Sequence, residues 1–96
     1  MSLVFEWDNR KARRNLEKHR VGFVEAVSVF NDPLARIFAD EDHMIGEPRE
    51  IVIGHSSSKR LLVVWFTERA KERVRIIGAR PATRREQYDY EENVAG

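Results

Sequence analysis

Residues 60–66 of this 96-residue chain read Arg-Leu-Leu-Val-Val-Trp-Phe, apolar at six consecutive positions. A half-exposed strand would alternate apolar and polar residues. A short run without alternation reads as a central strand covered on both faces. Two independent cores would need roughly 100 residues or more, so residues 1–96 are expected to form a single domain built around this strand. Its flanks support that placement. His55-Ser56-Ser57-Ser58-Lys59 is a polar turn, preceded by a strand over 49–54 that carries Ile51, Val52 and Ile53. Glu68 to Glu72 predicts a second turn, and 73–79 a last strand. Strands joined by such short turns imply an antiparallel meander.

The rest of the chain supplies cover. Leu3 to Trp7 is β-branched and aromatic and reads as a first strand. Asp8 can cap a helix with Ala12, Leu16 and His19 on one stripe, which Val21-Gly22 breaks. Phe23, Ala26, Val27 and Phe30 place a second, core-facing helix before the Asn31-Asp32-Pro33 stop. A short strand is expected over 35–39. Thr83-Arg84-Arg85-Glu86 matches a capping box and opens a C-terminal helix running to about Glu92. The predicted fold class is α+β, with two N-terminal helices packed on a curved antiparallel sheet and a helix at the C-terminus.

Composition removes several chemistries. With no cysteine there is no disulfide, thiolate nucleophile or Cys-ligated metal. No run approaches 18 apolar residues, and MSLVFEWDNR lacks the apolar core of a signal peptide, so a cytosolic protein without a membrane span is expected. No nucleophilic triad and no Gly-rich phosphate loop is visible. Asp40-Glu41-Asp42-His43 with Glu47 could ligate a cation, but clusters of this kind are more often solvated loops, and no metal is expected.

Charge is balanced overall, 17 Lys+Arg against 16 Asp+Glu, yet segregated along the chain. Residues 8–20 hold six basic and two acidic side chains, 32–50 two and six, 59–85 nine and two. Arg73 and Arg75, two apart on a strand, point to one face while Val74 and Ile76 point to the other. Arg80 lies where that strand leaves the sheet, Arg84 and Arg85 one turn beyond, and Lys59 and Arg60 open the central strand. Arginine offers a planar fork for phosphate oxygens and stays charged at every working pH. Trp65, Tyr88 and Tyr90 are candidates for base stacking. If the phosphate belongs to RNA, cleavage needs no enzyme nucleophile, because the 2′-hydroxyl attacks the neighbouring phosphorus. A base, an acid and cations for the growing charge suffice. His19, His43, Glu47 and Lys18 are the proton-transfer candidates; Arg49, Arg60, Arg75 and Arg80 are candidate charge stabilisers. His19 also reads as a half-buried structural histidine, Glu47 as a partner of Arg49, and Glu86 as the capping-box acid.

Several segments together resemble a known family. Phe5-x-Trp7-Asp8-x-x-Lys11-Ala12-x-x-Asn15-x-x-Lys18-His19-x-Val21-x-Phe23-x-Glu25-Ala26 resembles the opening of the BrnT family of bacterial toxins. Phe30-x-Asp32-Pro33, Asp40-x-x-His43, Glu47-x-Arg49, Gly54, Arg60-Leu61-Leu62-Val63-Val64 and Arg75-Ile76-Ile77-x-Ala79-Arg80-x-Ala82-Thr83-Arg84-x-Glu86 follow at the family's spacing, with Tyr90 after them. Gly78 stands where the family usually has Ser, and Pro48 separates Glu47 from Arg49.

The resemblance implies the toxin of a type II toxin–antitoxin system: a metal-independent, cofactor-free endoribonuclease with a RelE/ParE-like fold that inhibits translation, acting on RNA that is free or ribosome-bound. It implies a ribbon-helix-helix antitoxin of the BrnA type, through which a dimer would form. On this reading His19, Glu47, Arg49 and Arg80 are catalytic, and Lys18, Lys59, Arg60, Arg75 and Arg84 hold RNA. A non-catalytic interaction module and a gyrase-directed toxin of the same fold are the alternatives.

Overall fold

The fold comes from a computed structural model that describes residues 3–41 and 48–95. Strand β1 (Val4–Glu6) leads into helices α1 (Asn9–His19) and α2 (Phe23–Ser28), the latter continued by a 3-10 turn at Val29–Asn31. Strands β2 (Arg36–Ala39), β3 (Glu50–His55), β4 (Leu61–Ala70) and β5 (Arg73–Pro81) follow, then helix α3 (Arg84–Ala95). The strands form one sheet in the order β1-β5-β4-β3-β2. The meander β2 to β5 is antiparallel, but β1 pairs with β5 in parallel, so the sheet is mixed and not wholly antiparallel as expected.

β4 is central, and its two faces bury different neighbours. Leu62, Val64 and Phe66 join Val52, Val74, Ile76 and Ala79 under Val21, Phe23, Ala26 and Val29 of the helical layer. Phe30 bridges Phe5 and Phe66, with ring centroids 5.0 and 5.1 Å away. On the opposite face Val63 and Ile53 pack with Tyr90 of α3, alongside Leu61, Trp65 and Ala82. The apolar run therefore has cover on both sides, as its lack of alternation implied. β4 also runs on to Ala70, four residues past the expected end, as an exposed ribbon with β5. The turn between them is only Lys71-Glu72, with Glu72 left-handed at φ 64°.

The first helix differs from its sequence pattern. Asp8 caps it as expected, accepting from Arg10 N–H at 2.7 Å and Lys11 N–H at 3.2 Å. Ala12 and His19 are partly buried as the stripe implied, Ala12 against the core, but Leu16 is half exposed and the partly buried residue between them is Asn15. β1 ends at Glu6, opposite Arg75, leaving the rest of that edge of β5 open. Asn15 fills the gap: its amide donates to Ala79 O at 2.8 Å, and its carbonyl accepts from Ala79 N–H at 3.0 Å. A side-chain carboxamide thus stands in for a neighbouring strand's peptide group. Tyr90 is core, not a stacking platform: it is buried, and its hydroxyl lies 3.3 Å from Asp32 Oδ2. Asp32 also accepts from the backbone N–H of His55 and Leu34. Burial alone would raise the Asp32 pKa, but these donors hold it below its ordinary value. Gly54 is required by the close approach of this loop, since a Cβ there would sit 2.9 Å from Ala35 Cβ.

Candidate functional site

The ladder register arranges the face beneath α3 into rows across the sheet, because directly paired residues share a face. One row is Arg36, Ile53, Val63 and Arg80. The next is Phe38, Ile51 and Trp65, with Gly78 opposite Trp65 on β5. A third is Thr67, Arg75 and Glu6. Arg49 immediately precedes β3, and its carbonyl accepts from Asp40 N–H at 3.0 Å, so the ladder continues through it. Alternation puts Arg49 on the face of Ile51, level with Thr67. α3 covers the Ile53–Val63 end of this face. Arg49, Arg75 and Arg80, which lie far apart in sequence, therefore share it. The Arg75 and Arg80 rows are four β4 residues apart, about 13 Å.

Arg80 is clamped. Its guanidinium carbon lies 5.2 Å above the Trp65 ring, a cation–π contact. Nη1 donates to Glu86 Oε1 at 2.7 Å and to Pro81 O at 3.2 Å, and Nη2 donates to Glu86 Oε2 at 2.8 Å. Glu86 thus occupies the end of the guanidinium, between the two η nitrogens. Of the five N–H donors, Nε–H and one Nη2–H remain. They lie on the same side edge, a fork matched to two phosphate oxygens, and no described residue bonds Nε–H. The Arg80 hydrogen bonds bring the Glu86 carboxyl down to about 2, against the opposing effect of burial. Arg80 is raised in turn by Glu86. Glu86 is also the capping-box acid expected, with Thr83 N–H donating to Oε1 at 2.8 Å and Glu86 N–H to Thr83 Oγ1 at 3.1 Å.

Farther along the same face, in the Arg75 row, Glu6 of β1 holds Arg73 at 3.1 Å and sits 3.4 Å from Arg75 Nε. The second contact lacks hydrogen-bond geometry, so among the described residues the buried Arg75 Nε has no hydrogen-bond partner. The buried Oγ1 of Thr67, the ladder partner of Arg75, likewise has none among the described residues.

Other expected site residues lie elsewhere. Arg60 does not join the arginine face: it turns to the helical layer, where Nε donates to Glu25 Oε2 at 3.0 Å and Nη2 to Glu25 Oε1 and Arg20 O. Its side edge is consumed by Glu25, which leaves no phosphate fork. Lys59 is exposed in the β3–β4 turn, left-handed at φ 63°. Arg84 is exposed at the start of α3, and Lys18 on α1. His19 is half-buried one turn beyond Asn15. α1 follows β5 in direction, with Asn15 bonded to Ala79 and Arg20 O reached from Arg60 beside the Leu61–Ala82 pair, so His19 is level with the Pro81 end of β5. Asp40 is buried and Glu41 exposed; Asp42, His43 and Glu47 lie outside the described residues. Among the described residues no group of three or more metal-ligating side chains is gathered.

Glu6 and Thr67 carry no mark in the sequence pattern, the clamping role of Glu86 is not read from it, and Asn15 stands there only as part of the family-like opening, with no role attached. For Glu86 a signal existed, an arginine three residues before a capping box, which places the base where the box acid can reach it.

The family model described as the ribonuclease toxin, BrnT, of type II toxin–antitoxin systems matches residues 7–86. Among solved structures, the chain is similar to the Brucella abortus ribonuclease toxin, BrnT. The TM-score is 0.65 at 22% identity, covering 88% of this chain and 99% of that one. No match is found among the curated proteins. No helix of the described residues is long and apolar enough to cross a membrane.

Proposed function

Since this chain belongs to the BrnT family of ribonuclease toxins of type II toxin–antitoxin systems, we propose that it is a metal-independent endoribonuclease whose central cation is Arg80. The observation that carries this reading is the Nε/Nη2 edge of Arg80, which no described residue occupies, held on Trp65 and Glu86 in a face that also bears Arg49 and Arg75. A phosphodiester seated on that edge gains two charge-assisted hydrogen bonds, which strengthen as negative charge accumulates on its oxygens. The ribose 2′-oxygen attacks phosphorus and loses its proton to a general base. The P–O5′ bond breaks, and the departing 5′-oxygen takes a proton from a general acid. The products are a 2′,3′-cyclic phosphate and a 5′-hydroxyl. His19 and Glu47 are the proposed proton-transfer groups, Arg49 assists Arg80, and Arg75, Lys18, Lys59 and Arg84 attract the RNA backbone. Arg60 is left out, because its fork is spent on Glu25.

In the cell this activity would inhibit translation, on free or ribosome-bound RNA, in the cytoplasm and on a RelE/ParE-like scaffold. As the toxin of a type II system the chain has an antitoxin partner, proposed to be a ribbon-helix-helix protein of the BrnA type that also joins two toxins. Leu34, Ile37 and Phe38, each about half exposed at the β2 edge, supply apolar surface for such a partner.

The test is incubation of purified protein with RNA and with translating ribosomes in the presence of EDTA, with mapping of the product ends. Cyclic phosphate ends produced by the wild type and lost in a folded Arg80→Ala variant support the reading. Cleavage that survives in the variant, or that requires added metal, overturns it.

A further inference from the structure

A capping box needs one oxygen from its acid, to accept the N–H of the capping residue. Glu86 does more. Oε1 serves both Thr83 N–H at 2.8 Å and Arg80 Nη1 at 2.7 Å, whereas Oε2 bonds Arg80 Nη2 at 2.8 Å and plays no part in the cap. The second oxygen is explained only by Arg80. Without it the guanidinium could rotate about its last bonds and spend Nε–H on solvent, and its stacking on Trp65 would fix the plane but not the edge it presents.

We propose that Glu86 is a positioning residue for phosphodiester binding. It occupies the end of Arg80 so that the Nε/Nη2 edge, and no other, is offered to the two non-bridging oxygens of one phosphate. This deepens the proposed function and rests on Arg80 being the phosphate-binding cation. The same carboxylate fastens the first turn of α3 to the end of β5, so the orientation of the cation and the seating of the helix are set by one side chain. Glu86 moves no proton in this scheme: bonded to Arg80 and held far below neutral pH, it stays ionised throughout.

Glutamine separates the two roles. Glu86→Gln keeps a carbonyl oxygen to cap α3, but its amide would turn N–H toward Arg80 Nη2, donor against donor, and the clamp is lost. Thr83→Ala does the reverse, removing the hydroxyl that accepts Glu86 N–H while leaving both carboxylate oxygens on Arg80. The expected result for Glu86→Gln is native circular dichroism, a fall in kcat of tenfold or more, and a KM for RNA raised by no more than a few fold, because the other cations of the face still attract the backbone while the Arg80 fork is no longer held toward the phosphate. Thr83→Ala is expected to lower the melting temperature and leave kcat, measured well below that temperature, within twofold of wild type. An unchanged kcat in folded Glu86→Gln overturns the proposal. So does an equal loss of kcat in Thr83→Ala, which would show that helix stability alone is responsible.

A readout independent of catalysis keeps this inference apart from the ribonuclease reading. With inorganic phosphate as the probe, the Arg80 Nε–H resonance should shift saturably in the wild type and at least fivefold more weakly in Glu86→Gln. If the wild type cleaves no RNA but shows that pattern, the ribonuclease reading fails and the positioning role stands. If both proteins bind phosphate alike, the positioning role fails whatever the activity.

Discussion

Two arginine–glutamate pairs, Arg60 with Glu25 and Arg80 with Glu86, involve the end of the same β4–β5 hairpin on opposite faces of the sheet. Both arginines lie in strongly basic stretches, and both are held by two carboxylate oxygens. They differ in which edge of the guanidinium is taken. Glu25 occupies the Nε/Nη2 side of Arg60, and Arg20 O takes a further Nη2 proton, leaving only the two protons of Nη1. Ser56 also donates to Glu25 Oε2, at 2.7 Å, so the pair ties the β3–β4 turn to α2. Glu86 occupies the end of Arg80 and leaves the side fork open. One pair works as a bolt, the other as a mount. An internal carboxylate partner is thus no evidence against a ligand-binding arginine until the free donors are counted.

The comparison breaks most visibly in activity. Arg80→Ala should reduce RNA cleavage by about 10²–10³-fold, the scale of removing one preorganised donor group from a developing oxyanion. Arg60→Ala should leave cleavage per folded molecule within about threefold, measured under conditions where both variants are folded. Equal losses in the two would dissolve the distinction. Stability should rank them the other way. Glu25→Ala strands Arg60 and removes the acceptor of the Ser56 hydroxyl, and should cost about 1–3 kcal/mol by urea unfolding. Arg80→Lys sharpens the contrast further. It keeps the charge but has no fork, so cleavage should fall about tenfold or more, while Arg60→Lys should change it little.

Much of the fold was legible because hydrophobic patterning carried it. The run at Leu61–Phe66, the alternation of Arg73 to Ile76 and the capping residues Asp8 and Thr83 each specify a local arrangement that packing then confirms. The parallel pairing of β1 was not legible, since three residues with no tight turn to a neighbour carry no sign of their partner. Asn15 was hidden for a related reason: on a helix it reads as a polar surface residue, and only the open edge of β5 gives it a task. In the site, the basic residues were visible but their sorting was not. Whether Arg60 and Arg80 face the same way depends on strand parity, and whether either retains a fork depends on where Glu25 and Glu86 arrive from elsewhere in the chain.

The smallest expected effect is on acid stability, and there the two pairs should behave alike. Hydrogen bonds from Arg60 lower the Glu25 carboxyl, and hydrogen bonds from Arg80 lower that of Glu86 to about 2. A carboxylate whose folded pKa lies below its unfolded value of 4.5 contributes stability that is complete above pH 4.5 and is lost as pH falls toward 2. Glu86 is a third exposed, so solvent screening reduces its share to about 1 kcal/mol. Melting temperature followed from pH 6 to pH 2 should therefore decline across that window in the wild type. The decline should be shallower in Glu86→Gln and in Glu25→Gln, and shallowest in the double variant. The pairs are on opposite faces and share no partner, so the two changes should add. A Glu86→Gln profile parallel to wild type would mean that Arg80 and Glu86 are not paired in solution, and the mount would lose its basis.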